Sequence, residues 1–399
     1  MLKLIRKIIP QPIVNNLWHL PKAILPNVSY GFPSRGMTII GVTGTDGKTT
    51  TTNMIHQILR DAGKSVSMVS TINAVVGDKS YDTGFHVTSP DPFVVQKLIK
   101  DAKTAGSEFL VLEVTSHALD QHRFWGVKFD VGVVTNITHE HLDYHKTFEN
   151  YKNTKLRLLK NVKYAVVNEN LKIKGVTFGL TKGDVNQKKE KIKLKIHGNH
   201  NIENVMAALA VSRVLGIDQE QARKTLENFQ NLSGRMEEFE NSKGISKASL
   251  GVKIFIDFAH TPNGLQNALY TLRDQGNGKI FSVIGCEGFR DIGKREMMGE
   301  ISGKLADVTV VTAVDPRGQL DKINEQVIKG IEKTGKILGK DYFVINDRSK
   351  AIKFVIDQAK KDDVIGIFGK GHEKSMNLDG KKEIVWSDKI AVEKALSNG

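Results

Sequence analysis

The chain has 399 residues, and its 58 Lys and Arg exceed its 44 Asp and Glu to give a formal charge of +14. This length predicts two or three domains with hydrophobic cores of their own. No stretch approaches the ~20 apolar residues of a membrane-spanning helix, so we expect no integral membrane segment. The lone cysteine, Cys286, excludes an internal disulfide framework and favours a reducing compartment, which predicts a cytoplasmic protein.

The excess of positive charge would suit a polyanionic partner, nucleotides included. Most of it comes from lysines scattered over helical and loop segments, which is typical of solvated surface. No basic stretch alternates with aromatic residues, as it does in proteins that bind single-stranded nucleic acid. We therefore expect small-molecule substrates and no nucleic-acid partner.

Residues 1–35 form a basic and apolar N-terminal extension. Its prolines, Pro10, Pro12, Pro21 and Pro26, interrupt any long apolar run, and it lacks the small-residue cleavage site of a signal peptide. The pattern favours a short helix that packs on the following domain. A peripheral amphipathic helix at a membrane surface is the alternative.

A glycine-rich turn, Gly41-Val-Thr-Gly-Thr-Asp-Gly-Lys-Thr-Thr50, lies between an apolar run at residues 38–40 and a stretch with helical apolar spacing. In such a turn, backbone amides and the positive end of the helix dipole can surround phosphate oxygens. Lys48 would reach the terminal phosphates of ATP, and Thr49 would offer its hydroxyl to Mg²⁺. The spacing G-x-x-G-x-x-G-K-T departs from the common G-x-x-x-x-G-K-[ST], so an ordinary glycine-rich turn is the alternative.

Residues 109–114 and 131–136 are continuous apolar runs, as expected for parallel strands covered on both faces. Polar residues end both runs, and ligands bind at the carboxyl ends of such strands. A carboxylate buried at Glu113 would need a cation, so Thr49 and Glu113 predict a Mg²⁺ site, with a salt bridge to a lysine as the alternative.

The second run leads into Thr138-His-Glu-His-Leu-Asp-Tyr-His145. The clustered histidines and carboxylates favour a second metal ion on His141 over a merely polar loop. Zinc is excluded because no cysteine lies nearby and no H-E-x-x-H helix is present.

Strands alternate with helices along the rest of the chain. Residues 180–196 predict an exposed hairpin or loop, and helices follow at about 202–215 and 218–229. A Ser-Gly turn at 233–234 predicts the domain boundary, which gives an extension at 1–35, a central ATP-binding domain at 36–232 and a C-terminal domain at 233–399.

The alternation predicts an α/β protein with a central P-loop ATPase-like domain whose sheet is mostly parallel. A Rossmann-like doubly wound C-terminal domain follows it. Its expected strands are 253–258, 279–284, 307–312, 342–345 and 363–368, with helices after Pro262, at 294–305, from Leu320 and up to about Lys360.

These motifs together resemble the Mur ligase family, and the resemblance covers about residues 36–390. It rests on residues 41–51, Glu113-Val-Thr-Ser-His-Ala-Leu-Asp-Gln-His-Arg123, Asn136-Ile-Thr-His-Glu-His-Leu-Asp-Tyr-His145, His200-Asn-Ile-Glu-Asn204, Gly234-Arg-Met-Glu237, Asp257-Phe-Ala-His-Thr-Pro262, Gly293-Lys-Arg295, Asp315-Pro-Arg317 and Gly369-Lys-Gly-His-Glu373.

The resemblance implies ATP and Mg²⁺ as cofactors. Catalytic residues would be Lys48, Glu113, His141 and Lys155, and the metal ligands would be Thr49, Glu113, His141 and Lys155 in a carbamylated form. Without the resemblance, Lys155 would be interpreted as a plain surface lysine. The implied ATP-binding residues are Gly44, Thr45, Asp46, Gly47, Lys48, Thr49, Thr50, Asn201, Asn204, Arg235 and Asp257.

The implied substrate residues fall into two sets. A muramoyl-dipeptide would be held by Thr88, Ser89, Thr115, Gln121 and Arg123, and an incoming diamino acid by Arg290, Asp315, Pro316, Arg317, Gly369 and Glu373. An arginine fork can bind a carboxylate in two places, and Glu373 can accept from an ammonium group. Arg317 resembles enzymes that select meso-diaminopimelate, but Val314 and Asp315 stand where those enzymes have Asp-Asn, which leaves L-lysine open.

The resemblance implies an ADP-forming ligase of peptidoglycan synthesis that adds this diamino acid to UDP-N-acetylmuramoyl-L-Ala-D-Glu through an acyl phosphate. Members of this branch usually begin with a UDP-binding domain, which residues 1–35 are too short to form. We expect a monomer to which a partner chain could supply the UDP-binding surface. The alternatives are a related ligase without that domain, either folylpolyglutamate-synthase-like or amidating, and, less favoured, an ATP-dependent nucleic-acid-binding protein.

Overall fold

The computed structural model describes residues 10–82, 90–239 and 251–397. Thr88 and Ser89, which the sequence places in the substrate site, lie outside the described residues. The chain separates into two compact units. The first comprises Met1–Ile137, Thr147–Lys195 and His200–Phe229, and the second comprises Thr138–Lys146, Ile196–Asn199 and Gln230–Gly399.

The strands and helices are numbered in chain order. The strands are β1 (Thr38–Thr43), β2 (Val66–Val69), β3 (Asn73–Val76), β4 (Lys79–Asp82), β5 (Phe109–Glu113), β6 (Val131–Val134), β7 (Tyr164–Asn168), β8 (Val176–Gly179), β9 (Val185–Asn186), β10 (Glu237–Glu238), β11 (Lys253–Asp257), β12 (Ile280–Ile284), β13 (Val308–Val311), β14 (Tyr342–Val344), β15 (Val364–Phe368), β16 (Ser375–Met376) and β17 (Ile384–Val385). The helices are α1 (Gln11–Val14), α2 (Leu20–Ser29), α3 (Lys48–Asp61), α4 (Pro92–Thr104), α5 (Ser116–Asp120), α6 (Leu142–His145), α7 (Phe148–Leu156), α8 (Gln187–Glu190), α9 (Asn199–Val214), α10 (Gln219–Glu227), α11 (Pro262–Arg273), α12 (Gly293–Leu305), α13 (Leu320–Glu332), α14 (Arg348–Gln358) and α15 (Asp388–Ser397). A π-helical turn, Asn15–His19, joins α1 to α2.

The first unit is built on a sheet in the order β4-β3-β2-β5-β1-β6-β7-β8-β9. Strands β2, β5, β1, β6, β7, β8 and β9 run parallel, and β3 and β4 form an antiparallel extension at one edge. The central strands are apolar throughout, because helices cover both faces of such a sheet. Strand β1 lies between β5 and β6, so the residues that follow these three strands emerge at one edge.

The second unit contains a sheet in the order β10-β11-β15-β12-β13-β14. All its strands are parallel except β10, which pairs antiparallel with β11. One core packs α11, α12 and α13 against the sheet, and a second core packs α14 and α15 against it. Helices on both faces of a parallel sheet make a doubly wound domain.

The fold class expected from the sequence is confirmed in both units. One local expectation is wrong: residues 180–196 do not form only an exposed hairpin or loop. They supply β9, which pairs parallel with β8, and the short helix α8. Val185 is fully buried in β9. The lysines of this segment concealed an edge strand of only two residues.

Among the residues that the structure describes, no helix has the length and apolar character to cross a membrane.

Candidate functional site

The glycine-rich loop connects β1 to α3 at the carboxyl edge of the first sheet. Gly44 and Gly47 both have positive φ angles, 155° and 81°. A Cβ atom on Gly44 would lie 1.8 Å from the Thr135 Oγ1, and one on Gly47 would lie 2.2 Å from the Asn204 Oδ1. Both positions therefore require glycine for conformation as well as for space.

The first residue of α3 is Lys48, so its backbone lies at the positive end of the helix dipole. The Lys48 ammonium donates to the backbone oxygens of Gly44, at 3.1 Å, and Thr45, at 2.8 Å. The backbone N–H of Asp46 donates to the Asn136 side chain at 2.9 Å. Asn136 follows β6, so a neighbouring strand end holds the loop in place. This arrangement suits the binding of an anion such as phosphate.

Thr49 and Glu113 come together as the sequence predicts. The Thr49 hydroxyl donates to both carboxylate oxygens of Glu113, at 3.1 and 3.0 Å, and the Thr71 backbone N–H donates to the same carboxylate at 2.8 Å. Both side chains are buried. Parallel pairing of β1 with β5 places Val42 opposite Glu113 and so brings the carboxylate beside the loop. A hydroxyl and a carboxylate in one place are the oxygen donors that Mg²⁺ prefers, so these residues fit that ion.

Lys155 is buried, with only 2% of it exposed. Its interpretation as a plain surface lysine, which the sequence alone would give, is therefore wrong. Its ammonium donates to the Gly44 backbone oxygen at 2.7 Å and lies 4.7 Å from the ring centre of Tyr151. The Tyr151 hydroxyl is 3.0 Å from the Thr45 Oγ1. The lysine implied by the family resemblance therefore contacts the phosphate loop directly. Its carbamylation stays a prediction.

His141 belongs to the second unit, whereas Thr49, Glu113 and Lys155 belong to the first. It has a left-handed backbone conformation, with φ of 57°, and immediately precedes α6. Its Nδ1 lies 3.8 Å from a carboxylate oxygen of Glu140. The role of His141 as a metal ligand stays a prediction.

Asn201 and Asn204 are buried on α9. The Thr51 hydroxyl donates to the Asn204 side-chain oxygen at 3.2 Å, and the Asn204 amide donates to Asn201 at 3.3 Å. Beside them, burial, partly offset by the charge of Asp46, lowers the pKa of His200 to about 4. A neutral imidazole and two amides next to the phosphate loop suit a heteroaromatic base better than a charged group.

The remaining residues predicted to bind ATP, Arg235 and Asp257, lie in the second unit. Asp257 ends β11 and accepts hydrogen bonds from the backbone N–H groups of Met236 and Ala259, both at 2.7 Å. The Arg235 guanidinium lies 4.7 Å from the centre of the Phe258 ring. The two residues are therefore held on one loop cluster of the second unit.

Asp315 and Arg317 lie on a strained turn after β13, with φ angles of 44° and 50°. Asp315 is fully buried and accepts from the Lys370 ammonium at 3.0 Å and from the Asn377 backbone N–H at 2.9 Å. Pro316 stands between them, and the Arg317 guanidinium is 4.0 Å from Asp315. The buried contacts of Asp315 therefore hold this turn, and the role of Arg317 in binding the amino acid stays a prediction.

Lys370 also pairs with Glu373, at 2.5 Å, and is itself fully buried. It therefore joins two predicted substrate residues, Asp315 and Glu373, yet the sequence did not single it out. Gly369 precedes it with φ of 102°, a conformation that favours glycine. Lys370 could have been found from the sequence, because it lies between Gly369 and Gly371 in the motif Gly369-Lys-Gly-His-Glu373, whose glycine and glutamate were predicted to bind substrate.

A second unforeseen residue is Glu287, whose carboxylate lies 3.8 Å from the Arg290 guanidinium. Burial alone would favour its protonated form. The positive charges of Lys294, His260, Arg290 and Arg317 nevertheless lower the pKa of Glu287 to about 2. An ionised carboxylate therefore accompanies both arginines that were predicted to bind the incoming amino acid.

Of the residues predicted to bind the dipeptide, the described ones, Thr115, Gln121 and Arg123, lie at the two ends of α5. The Thr115 hydroxyl caps this helix by accepting from the Ala118 backbone N–H at 3.1 Å. Gln121 accepts from two nitrogens of Arg123, at 3.2 and 2.8 Å.

Comparison with known proteins gives two family matches, the Mur ligase middle domain over residues 42–177 and the Mur ligase glutamate ligase domain over residues 234–371. A protein of Clostridium botulinum named UDP-N-acetylmuramoyl-L-alanyl-D-glutamate--2,6-diaminopimelate ligase is 36% identical over 90% of this chain and 78% of its own length. A solved structure with the same name has 26% identity, covers 96% of this chain and 83% of its own, and has a TM-score of 0.59. The MurF ligase of Thermotoga maritima in complex with ADP shares the fold, with 20% identity, coverage of 95% and 83%, and a TM-score of 0.66.

The phosphate loop, the two doubly wound units and these matches define an ATP-dependent, ADP-forming ligase that joins an acid to an amino acid. The chain belongs to the Mur ligase family.

Proposed function

We propose that this ligase adds a diamino acid, 2,6-diaminopimelate in preference to L-lysine, to UDP-N-acetylmuramoyl-L-Ala-D-Glu in peptidoglycan synthesis. The observation that carries the proposal is the 36% identity over 90% of the chain to a relative with that name. Arg317, on its strained turn, supports diaminopimelate, because the second carboxylate of this substrate needs a cationic partner. We expect the reaction to take place in the cytoplasm, in a monomer.

The residues of the first unit would act on the acid and on ATP. The glycine-rich loop and Lys48 would hold the phosphates of ATP. The substrate carboxylate would attack the terminal phosphorus, which breaks its bond to ADP, so that an acyl phosphate forms and ADP leaves. Lys48 would stabilise the charge that develops on the transferred phosphoryl group. Gln121 and Arg123 would orient the dipeptide, so that the reacting carboxylate is held in place.

The residues of the second unit would act on the amine. Arg290 and Arg317 would bind carboxylates of the incoming diamino acid, while Glu373 would accept from an ammonium group. The free amine would then attack the activated carbonyl and release phosphate. Glu287 and Asp315 balance the charges of Arg290 and Arg317, so the carboxylates of the diamino acid would not be held by unopposed positive charge alone.

Thr49 and Glu113 would hold Mg²⁺. Metal-binding roles for His141 and for carbamylated Lys155 are proposed on the family resemblance alone. Bound Mg²⁺ supplies neutralisation of phosphate charge. Thr49 and Glu113 carry this part of the proposal, since the oxygen atoms of both already meet at about 3 Å.

Phosphate release tests the proposed substrates. Purified protein is given ATP, Mg²⁺ and UDP-N-acetylmuramoyl-L-Ala-D-Glu, and then one amino acid from a panel of meso-diaminopimelate, L-lysine and L-glutamate. We expect release with meso-diaminopimelate and at least about tenfold less with L-lysine, which corresponds to ~1.4 kcal/mol. Release with neither diamino acid would contradict the substrate assignment.

A matched pair of lysine variants tests the phosphate loop. Lys48→Ala should abolish turnover, because it removes the cation nearest the expected terminal phosphate. Lys64→Ala removes an exposed lysine just after the same helix and should leave turnover unchanged. Near-normal activity of Lys48→Ala would contradict the assignment of the loop.

A further inference from the structure

The N-terminal helical segment exposes a row of large apolar side chains, which we call the N-terminal apolar face. The row comprises Ile13, Leu17, Trp18, Leu25 and Val28, whose exposed fractions are 46%, 75%, 60%, 59% and 53%. Spacings of four, eight and three residues from Ile13 through Leu17 and Leu25 to Val28 put these residues along one side of the helices. The face therefore continues over the length of α1, the π-helical turn and α2.

The opposite side of the same segment is anchored, which fixes the direction of the apolar face. Ala23, Pro26 and Asn27 are buried beneath α2. The Asn15 amide donates to the Asp120 carboxylate at 2.6 Å, and the Asn27 amide donates to the Trp125 backbone oxygen at 2.5 Å. The segment is therefore docked on the first unit, as the sequence suggested, with its more apolar side turned outward.

The charge around this face is strongly positive. No Asp or Glu occurs before Asp46 in the sequence, whereas the same stretch contains Lys3, Arg6, Lys7, Lys22 and Arg35. The neighbouring helix α4 adds exposed Lys97 and Lys100, and the Lys100 ammonium lies 5.3 Å from the ring centre of Tyr30, just after α2.

One cation of the segment is already paired, because Lys22 forms an ion pair with Asp91 at the start of α4. That contact lowers the pKa of Asp91, although burial acts in the opposite direction. Among the described residues, the exposed Lys97 and Lys100 of the neighbouring helix α4 are therefore the lysines that a ligand of this face would meet. A second copy of this chain would present the same positive charge, so self-association through this face is disfavoured.

We propose that the N-terminal apolar face docks on an anionic phospholipid surface. An exposed tryptophan among aliphatic side chains, bordered by cations, is the pattern of a helix that lies in the plane of a bilayer interface. Leu17, Trp18 and Leu25 enter the headgroup region, and the lysines contact lipid phosphates. This interaction is peripheral and reversible, and it is independent of the substrates proposed above.

Vesicle binding tests the proposal with the full chain. The protein is mixed with vesicles of phosphatidylcholine alone or with one third phosphatidylglycerol, and bound protein is measured by co-sedimentation. We expect at least tenfold stronger binding to the anionic vesicles and weaker binding as salt is raised. Trp18 emission should shift to the blue, and Trp18→Phe should remove the shift while Trp125 and Trp386 remain.

A matched pair of variants distinguishes binding through the N-terminal apolar face from nonspecific hydrophobic binding to vesicles. Leu17→Ser with Leu25→Ser should reduce binding to anionic vesicles at least tenfold. Leu338→Ser, at a 62% exposed position of the second unit, should bind as the unaltered protein does. Circular dichroism checks that each variant folds. The salt dependence of vesicle binding is measured on the unaltered protein, so this part of the test does not depend on any variant. Equal binding to neutral and anionic vesicles, absence of binding, or sedimentation as a dimer through this face would overturn the proposal.

Discussion

A buried carboxylate that accepts hydrogen bonds from two donors is the central residue of the candidate metal site. Glu113, at the end of β5, accepts from the hydroxyl of Thr49 on α3 and from the backbone N–H of Thr71, which follows β2. Removing its charge without changing its shape isolates the electrostatic role, because glutamine retains most of the volume.

We therefore expect Glu113→Gln to raise the Mg²⁺ concentration required for turnover at least about tenfold, as loss of a metal ligand or its support commonly does. Phosphate release measured across a Mg²⁺ titration gives this value. Glu108→Gln is the matched control, because Glu108 is exposed just before the same strand. An unchanged Mg²⁺ requirement in Glu113→Gln would rule out the proposed site.

The buried histidines predict how stability depends on pH. Burial, reinforced by the nearby Arg60, lowers the pKa of His56 to about 4, and burial lowers that of His200 to about 4. The unfolded chain therefore binds more protons than the folded chain between pH 4 and 6.5. The free energy of unfolding should fall as pH falls through this window, by up to about 1.4 kcal/mol per pH unit for each histidine.

The variant His56→Leu should flatten this slope, because it removes one of the two titrating groups. Urea unfolding at several pH values between 4 and 7 measures the slope. Gln57→Leu, the next residue on α3, cannot titrate and should leave the slope unchanged. A slope as steep in His56→Leu as in the unaltered protein would show that His56 does not contribute.

At the scale of elements, the helix α3 begins and ends beside glycines with similar backbone angles but different surroundings. Gly47 has φ of 81° and Gly63 has φ of 71°. A Cβ atom on Gly47 would meet the Asn204 side chain at 2.2 Å, whereas one on Gly63 would meet nothing within 4 Å. Substituting each glycine by alanine therefore distinguishes the cost of backbone strain, which both positions share, from the steric conflict with Asn204, which only Gly47 has.

Both Gly47→Ala and Gly63→Ala should lose about 1 kcal/mol or more of unfolding free energy through the positive φ angle. Only Gly47→Ala should also displace Asn204 and weaken binding of ADP, by at least about tenfold. Thermal melting and equilibrium binding of ADP measure the two effects. Equal ADP affinity in the two variants would show that the close approach to Asn204 is unimportant.

Elements with continuous apolar runs could be predicted from the sequence because burial on both faces leaves no polar positions. Strands β5 and β6 differ from their predicted ranges by only one or two residues at one end. Edge elements carry a weaker signal, and β9 lay concealed among lysines because two residues define no periodicity. Lys155 could be placed only by resemblance, since a buried lysine and a surface lysine look alike in a sequence.

The pairing of Asp315 with Lys370, and of Glu287 with the arginines, could not be predicted for another reason. These partners lie far apart in sequence or on a turn whose conformation no periodic pattern encodes. The predicted domain ranges likewise follow the chain continuously. In the structure, Thr138–Lys146 and Ile196–Asn199 group with the second unit although they lie within the range predicted for the central domain.

On the scale of the whole molecule, this discontinuity makes the second unit depend on a segment from the middle of the chain. Glu140, in that segment, forms a buried ion pair with Lys294 at 3.0 Å. Burial acts to lower the pKa of Lys294, but Glu140 and Glu287 raise it above the usual value. The pair therefore ties residues 138–146 to α12 within one unit.

We expect Lys294→Met to destabilise the second unit by about 3–5 kcal/mol, because it leaves the Glu140 charge buried without this partner. The double variant Glu140→Leu with Lys294→Met should recover much of that loss, since neither charge is then buried. Trp386 reports on the second unit, and Trp18 and Trp125 report on the first, so tryptophan-to-phenylalanine backgrounds resolve the two unfolding transitions. The single variant Glu140→Leu completes the double-mutant cycle. If the losses of the two single variants add up to that of the double variant, the pair does not hold the inserted segment; a coupling confined to the Trp386 signal would show that it does.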